Sequence, residues 1–155
     1  MKKKMFWLTV IIVLAADRVT KELAAGIPEE GITVIPAVLG LRYAENRGIA
    51  FSMLSGYPRL TGLLSLALLA GGFLWLRKKE PAPFPLAGFA LMADGAAGNM
   101  ADRLIRGFVP DMIETLFVRF PVFNIADSCL TAGCAMVMIS LLFRPNDYLE
   151  KGKGP

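Results

Sequence analysis

The residues best equipped for chemistry lie between Gly98 and Cys129. Asn99, Asp102 and Arg103 stand at i, i+3 and i+4, a spacing that puts them on one face of a helix. Asp111 follows eight positions after Arg103, and Asn124 and Asp127 come next, three apart. Apolar segments flank this stretch, so its three carboxylates sit where those segments meet water. Carboxylates next to a bilayer are costly, which makes them functional candidates by default. Two carboxylates converging on a water can divide one proton between them, one serving as base and the other as acid. The chain has no histidine, which excludes Ser-His and Cys-His nucleophilic sites and HExxH zinc sites. A Gly-rich phosphate loop with its lysine is absent too. Chemistry here falls to carboxylates, lysine and hydroxyls.

Each candidate also has a purely structural reading. Asp127 could serve as a cap residue, Asp102 as the partner of Arg103, and Asp111 as a turn residue after Pro110. Jointly those readings fail, because apart from Asp94 and scattered hydroxyls the apolar segments hold no other polar side chains.

The elements that must position these residues follow from composition. Of 155 residues, 55% are hydrophobic and 19% charged, with mean hydropathy +0.53. A water-soluble domain spreads a larger charged fraction over its surface. Here the charges cluster between long uncharged runs, the pattern of a small multi-pass membrane protein. The net charge of +4 does not point to nucleic acid, since the basic residues stand at segment ends rather than along one face. Cys129 and Cys134 fall in the last apolar run, and on a helix they diverge by about 140°, which is unsuited to a disulfide.

In chain order, Lys2, Lys3 and Lys4 precede twelve uncharged residues, Met5 to Ala16. That resembles a signal peptide, but Asp17 and Lys21, one helical turn apart, argue for a span over about 5–23. Residues 26–57 change character: Pro28, Gly31, Pro36 and Gly40 punctuate two short strands, at 32–35 and 39–43. Asn46 and Gly48 suit a tight turn, and Ile49 and Phe51 an apolar platform on the membrane surface. A second span, 58–76, ends at Arg77-Lys78-Lys79. The third, 84–101, is rich in Gly and Ala, which predicts a central helix that its neighbours approach closely. It also carries Asp94. Residues 104–122 read as loop, Asn124 as the N-cap of a fourth span, 124–143, and 144–155 as a loose polar tail. The expected fold is an all-α membrane protein with four transmembrane helices and a small extracytoplasmic β-rich domain, together one membrane domain. Lysines and arginines concentrate at the chain ends and at residues 77–79, which places both termini in the cytoplasm and the polar motifs outside.

Five motifs occur in order between Met5 and Phe143. They are Asp17-Arg18-Val19-Thr20-Lys21, Asn46-Arg47-Gly48-Ile49-Ala50-Phe51, Gly98 to Arg103, Val109-Pro110-Asp111 and Phe123 to Ser128. With this spacing the chain resembles the bacterial lipoprotein signal peptidase family, signal peptidase II. The resemblance implies an intramembrane aspartyl endopeptidase of the bacterial cytoplasmic membrane. Such an enzyme removes signal peptides from prolipoproteins, cutting just before a diacylglyceryl-modified cysteine. It implies Asp111 and Asp127 as the catalytic pair. Asp17, Lys21, Asn46, Gly48, Asn99, Asp102, Arg103 and Asn124 become residues that bind substrate or hold the pair. No metal or cofactor is implied; the partners are the lipidated precursor, membrane lipid and globomycin-type inhibitors. Arg18 stands where glutamine is common in the family, Met112 where phenylalanine is common, and Asp94 where a small residue is expected.

Two other readings compete with it. One is a serine-lysine peptidase built on Lys21 with Ser52 or Ser128. The other is a small proton-coupled transporter or assembly factor using Asp94 and Asp127, which requires charges deep in several spans.

Overall fold

The computed structural model describes residues 2–48, 56–76 and 78–150. Four long helices carry the chain: α1 (Lys2–Ala24), α2 (Pro58–Leu76), α3 (Pro83–Ile105) and α4 (Ile125–Phe143). Strands β1 (Ile32–Ile35), β2 (Leu39–Asn46) and β4 (Val109–Thr115) form an antiparallel sheet in the order β1-β2-β4. At the opposite end of the helices, β3 (Lys79–Pro81) pairs with β5 (Tyr148–Glu150). The molecule is thus mostly helical with one small three-stranded sheet.

Its interior is polar and its exterior apolar. The buried set includes Asp17, Lys21, Asp94, Asn99, Asp102, Arg103, Asp111 and Asn124. Trp7, Ile11, Leu63, Leu68, Phe73, Leu142 and Phe143 are exposed on α1, α2 and α4. Water would not tolerate apolar surface on this scale, whereas lipid solvates it. Among the described residues, α2 and α4 are long and apolar enough to cross a membrane. Helices α1 and α3, 23 residues each, carry charged groups toward their C-terminal ends.

The small residues of α3 do what their size permits. Helix α3 packs against α1, α2 and α4. Glycines make its contact with α4 close: a Cβ on Gly133 would lie 2.5 Å from the Gly88 carbonyl oxygen, and one on Gly95 would collide with that of Ala126. The helix ends at Gly107, whose positive φ of 79° lets the chain turn back while its N–H and that of Arg106 bond to the Asp102 carbonyl.

Three expectations need correction. Residues 109–115 form strand β4 rather than loop, because β2 supplies a register no local pattern reveals: Ala44 faces Asp111 and Asn46 faces Val109. Strand β2 runs on to Asn46 rather than ending at Tyr43, and the Asn46 side chain accepts the Gly48 N–H in the tight turn expected there. Residues 144–150 are not loose. Pro145–Asp147 make a helical turn and Tyr148–Glu150 a strand, held by the Ser140 hydroxyl donating to Asp147 at 2.8 Å and the Ala82 N–H to its carbonyl. The platform expected at Ile49 and Phe51, like Ser52, lies outside the described residues.

Candidate active site

At the end of the helix bundle beneath the three-stranded sheet, the ten residues singled out above form one continuous hydrogen-bonded network. Lys21, 1% exposed, is its hub. Its ammonium lies 2.8 Å from Asp17 Oδ2, 2.8 Å from Asp102 Oδ2 and donates to Asn99 Oδ1 at 2.9 Å. Three N–H groups thus meet three acceptors, so the buried ammonium is fully hydrogen-bonded. The i,i+4 spacing of Asp17 and Lys21 proves to be a buried pair rather than a surface one. Asp17 also accepts the Ala126 N–H at 3.0 Å through Oδ1, tying α1 to the first turn of α4. Gly98 leaves room for that carboxylate: a Cβ there would lie 2.8 Å from Asp17 Oδ2.

Two asparagines carry the network to Asp111 and Asp127. Asn99 accepts Lys21 and Asn124 on Oδ1, so its Nδ2 is turned to Asp127 Oδ1 at 2.7 Å. Asn124, fully buried, caps α4 in a reciprocal box: its Oδ1 takes the Asp127 N–H, and Asp127 Oδ2 takes the Asn124 N–H. The same side chain donates to Asp111 Oδ1 at 2.6 Å. Phe123 reaches this position by pairing with Ile113 of β4, which brings the start of α4 beside Asp111. Asn46, diagonal to Asp111 across the β2–β4 register, donates to its Oδ2 at 3.0 Å. Amides from two different elements therefore hold both Asp111 oxygens.

Burial pushes Asp111 up to about 6, with the nearby Asp127 carboxylate adding to the rise and the Asn46 and Asn124 hydrogen bonds opposing it. Two acidic groups that feel each other in a buried site can divide one proton. Arg103, adjacent in sequence to Asp102, is not its partner. It donates to the Gly48 carbonyl through Nε at 3.3 Å and Nη2 at 2.7 Å, and to the Asn99 carbonyl at 3.4 Å. Asp102 is held instead by Lys21, by Arg18 at 3.3 Å and by Arg106 at 3.4 Å. The i,i+4 spacings of Arg18 with Glu22 and of Asp102 with Arg106 were available signals for these contacts.

The rival readings gain little from this geometry. Lys21 has committed its N–H groups, and the Ser128 hydroxyl donates to the Asn124 carbonyl at 3.1 Å. Asp94 is 2% exposed with neither oxygen hydrogen-bonded, and among the described residues no chain of donors joins it to Asp127.

Lipid-facing helices around a buried polar centre define a small helical membrane enzyme. Two solved structures, each described as a bacterial membrane enzyme, share the fold. One superposes with a TM-score of 0.85 at 30% identity over 98% of this chain and 94% of the other. The second gives 0.82 at 32% identity over 91% and 94%. The family profile for signal peptidase (SPase) II matches residues 9–143, and on that match the chain belongs to the signal peptidase II family of proteases. The lipoprotein signal peptidase of Chlorobium luteolum is 37% identical, covering 88% of this chain and 90% of the relative. That of Chlorobaculum tepidum is 39% identical over 87% and 92%, and that of Lactococcus lactis subsp. lactis 35% over 92% and 96%.

Proposed function

We propose that the chain is an aspartyl endopeptidase of the bacterial cytoplasmic membrane that removes signal peptides from diacylglyceryl-modified prolipoproteins. It cuts before the lipidated cysteine. The observation that carries this reading is the linkage Asp111–Asn124–Asn99–Asp127, in which the buried Asp111 and the half-buried Asp127 are aimed by two amides, one of which, Asn99, also meets Lys21. With one proton between them, the ionised member removes a proton from a water as it attacks the scissile carbonyl. The protonated member donates to the developing oxyanion. The other then passes the proton it took from water to the leaving amine, and the first regains its own from the gem-diol hydroxyl as the new carboxyl forms. Asp17, Lys21, Asn99, Asp102 and Asn124 position the pair. Asn46, Gly48 and Arg103 join it to the segment that follows β2.

All four helices span the membrane in this reading. The N-terminal end of α1, the C-terminal end of α4 and the α2–α3 connection face the cytoplasm, and the β1-β2-β4 sheet lies outside. Charges on α1 and α3 do not oppose this, because they converge on one another rather than on lipid. The substrate diacylglyceryl chains lie among lipid beside the helices, and globomycin-type inhibitors compete for the peptide site.

The test is cleavage of a lipidated precursor in detergent or vesicles. Wild-type protein cleaves it and spares the unlipidated precursor, while folded Asp111→Asn does not cleave. Near-wild-type cleavage by that variant would overturn the assignment. Single cysteines at positions 79 and 119 should label from the cytoplasmic and outer sides respectively.

A further inference from the structure

Asp102 uses its two oxygens differently. Oδ2 faces inward to Lys21 at 2.8 Å. Oδ1 faces the rim, where Arg18 Nη1 approaches at 3.3 Å and Arg106 Nε at 3.4 Å. Glu22 bridges the two arginines from the solvent side, 2.6 Å from Arg18 and paired with Arg106 Nη2. Arg18 and Glu22 are more than half exposed, whereas the Asp102 side chain is 4% exposed. A buried carboxylate is therefore fixed from outside by two guanidinium groups whose own positions a surface carboxylate sets.

The consequence runs inward through three side chains. Asp102 and Asp17 hold the Lys21 ammonium between them. Lys21 in turn determines which way the Asn99 amide points. While Lys21 donates to Asn99 Oδ1, Nδ2 must face Asp127. If Lys21 moves off, Asn99 Oδ1 keeps only the Asn124 N–H, and the amide that aims Nδ2 at Asp127 is held by one donor instead of two. With its rim partners removed, Asp102 has, among the described residues, Lys21 as its remaining side-chain partner, and its outer oxygen is left to compete for the ammonium.

We infer that Arg18 and Arg106, organised by Glu22, are positioning residues for the reaction: by fixing Asp102 they fix Lys21, and through it the Asn99 amide that aims Asp127. They touch neither Asp111 nor Asp127. The requirement inferred is a polar N–H group facing Asp102 Oδ1 at each position, hydrogen-bonded from Arg18 and in ion-pair contact from Arg106. This inference rests on the aspartyl-peptidase reading above, and on Asp127 as one of its catalytic residues.

The experiment compares full-length protein carrying Arg18→Leu and Arg106→Leu together with the corresponding double Gln variant, in cleavage of the lipidated precursor. Leucine keeps stem volume and removes every donor; glutamine keeps a donor. The double Leu variant should lose about tenfold or more in kcat with KM within about twofold, as expected when a catalytic group is misaimed while substrate contacts persist. The double Gln variant should regain most of that loss. Unchanged kcat in the Leu variant overturns the inference, and so does a rise in KM alone, which would make the arginines substrate contacts. A kcat loss that Gln does not relieve overturns the donor requirement. If the double Leu protein does not fold, Arg18→Leu alone is judged by the same criteria, since that side chain lies mostly in solvent. Wild-type protein and Asp111→Asn run beside these variants. Absence of Asp111-dependent cleavage in wild type counts against the proposed function, whereas an indifferent Leu variant beside active wild type counts against the rim alone.

Discussion

The two ends of the helix bundle both hold a carboxylate that is mostly buried and fully engaged, and they hold it in different ways. At the β3–β5 end, Asp147 receives the Ser140 hydroxyl at 2.8 Å and Arg144 Nε at 3.2 Å, both from within seven residues. One acid meets one base, the donors are local, and the result closes the C-terminal end of α4. At the sheet end, the partners come from α1, α3, α4, β2 and β4, separated by 65, 78 and 109 positions for Asn46–Asp111, Lys21–Asn99 and Asp17–Ala126. Three buried carboxyl groups (Asp17, Asp102 and Asp111) and the half-buried Asp127 gather around Lys21 and Arg103. A local, balanced cluster is a clasp. A long-range cluster with surplus acid is costly to assemble, and such a cost is met where chemistry needs it.

The largest effect should come from the surplus acid itself. Asp111→Asn or Asp127→Asn should lower turnover by about 10²–10⁴-fold, the usual loss when a general acid or base is removed. The double variant should be little worse than either single one, since members of a catalytic unit are not additive. Additive losses would mean that the two residues act separately, and the sheet end would be two sites rather than one.

Lys21→Met probes the same end through its hub. It leaves Asp17 and Asp102 facing each other without their shared cation, and breaking a buried pair in this way costs about 3–5 kcal/mol. Denaturant unfolding in detergent should show that loss together with loss of cleavage. A stable, active Lys21→Met protein would remove the distinction between the two ends.

The pH dependence sharpens the comparison. Asp111 has its value raised from 3.8 to about 6. Below 3.8 both folded and unfolded chains hold the proton; between 3.8 and about 6 only the folded chain does; above that neither does. The folded state thus loses stability from this group as pH rises through that window, and the loss persists at higher pH. Activity should follow a bell, its alkaline limb set as the pair gives up its shared proton near pH 6 and its acid limb where both members are protonated. The measurement is kcat/KM against pH. A flat profile from pH 4 to 8 would remove the shared proton.

The smallest effect belongs to the clasp. Ser140→Ala with Asp147→Asn should leave kcat within about twofold, because nothing at that end reaches the network, and should lower thermal stability by about 1–3 kcal/mol. A larger change in kcat would show that the two ends communicate along α4.

Much of this site can be read from residue spacing because its parts sit on helices. Asn99, Asp102 and Arg103 share a face whatever the fold, and Asn124 with Asp127 is a capping box recognisable from local pattern alone. Strand β4 was illegible for the opposite reason. Gly107, Pro110 and Pro121 read as loop, and only pairing with β2 and Phe123, far away or across a turn, makes the segment extended. The extension of β2 from Tyr43 to Asn46 was illegible for the same reason. Proximity in sequence also misled: Arg103 follows Asp102 directly, yet successive helical residues point in different directions, and Asp102 found its cations one turn along α3 and across on α1. Asp94 was conspicuous in the sequence and is still conspicuous in the fold, buried and without a hydrogen bond. We have no physical account of it.

The glycine contacts between α3 and α4 carry a mechanical consequence. At Gly88, Gly95 and Gly133 each helix lies against backbone of the other, so sliding by one residue would drive a side chain into a carbonyl group. The two helices that bring Asn99 and Asp127 together therefore behave as a single rod of set length. Lipid bilayers vary in thickness, and helices usually accommodate this by tilting or shifting past their neighbours. If the helices span the membrane as proposed, any such adjustment falls to α2 and to the N-terminal half of α1, whose exposed apolar residues bear no part of the network. In the proposed membrane setting, the placement of Asn99 against Asp127 is thereby insulated from the thickness of the bilayer.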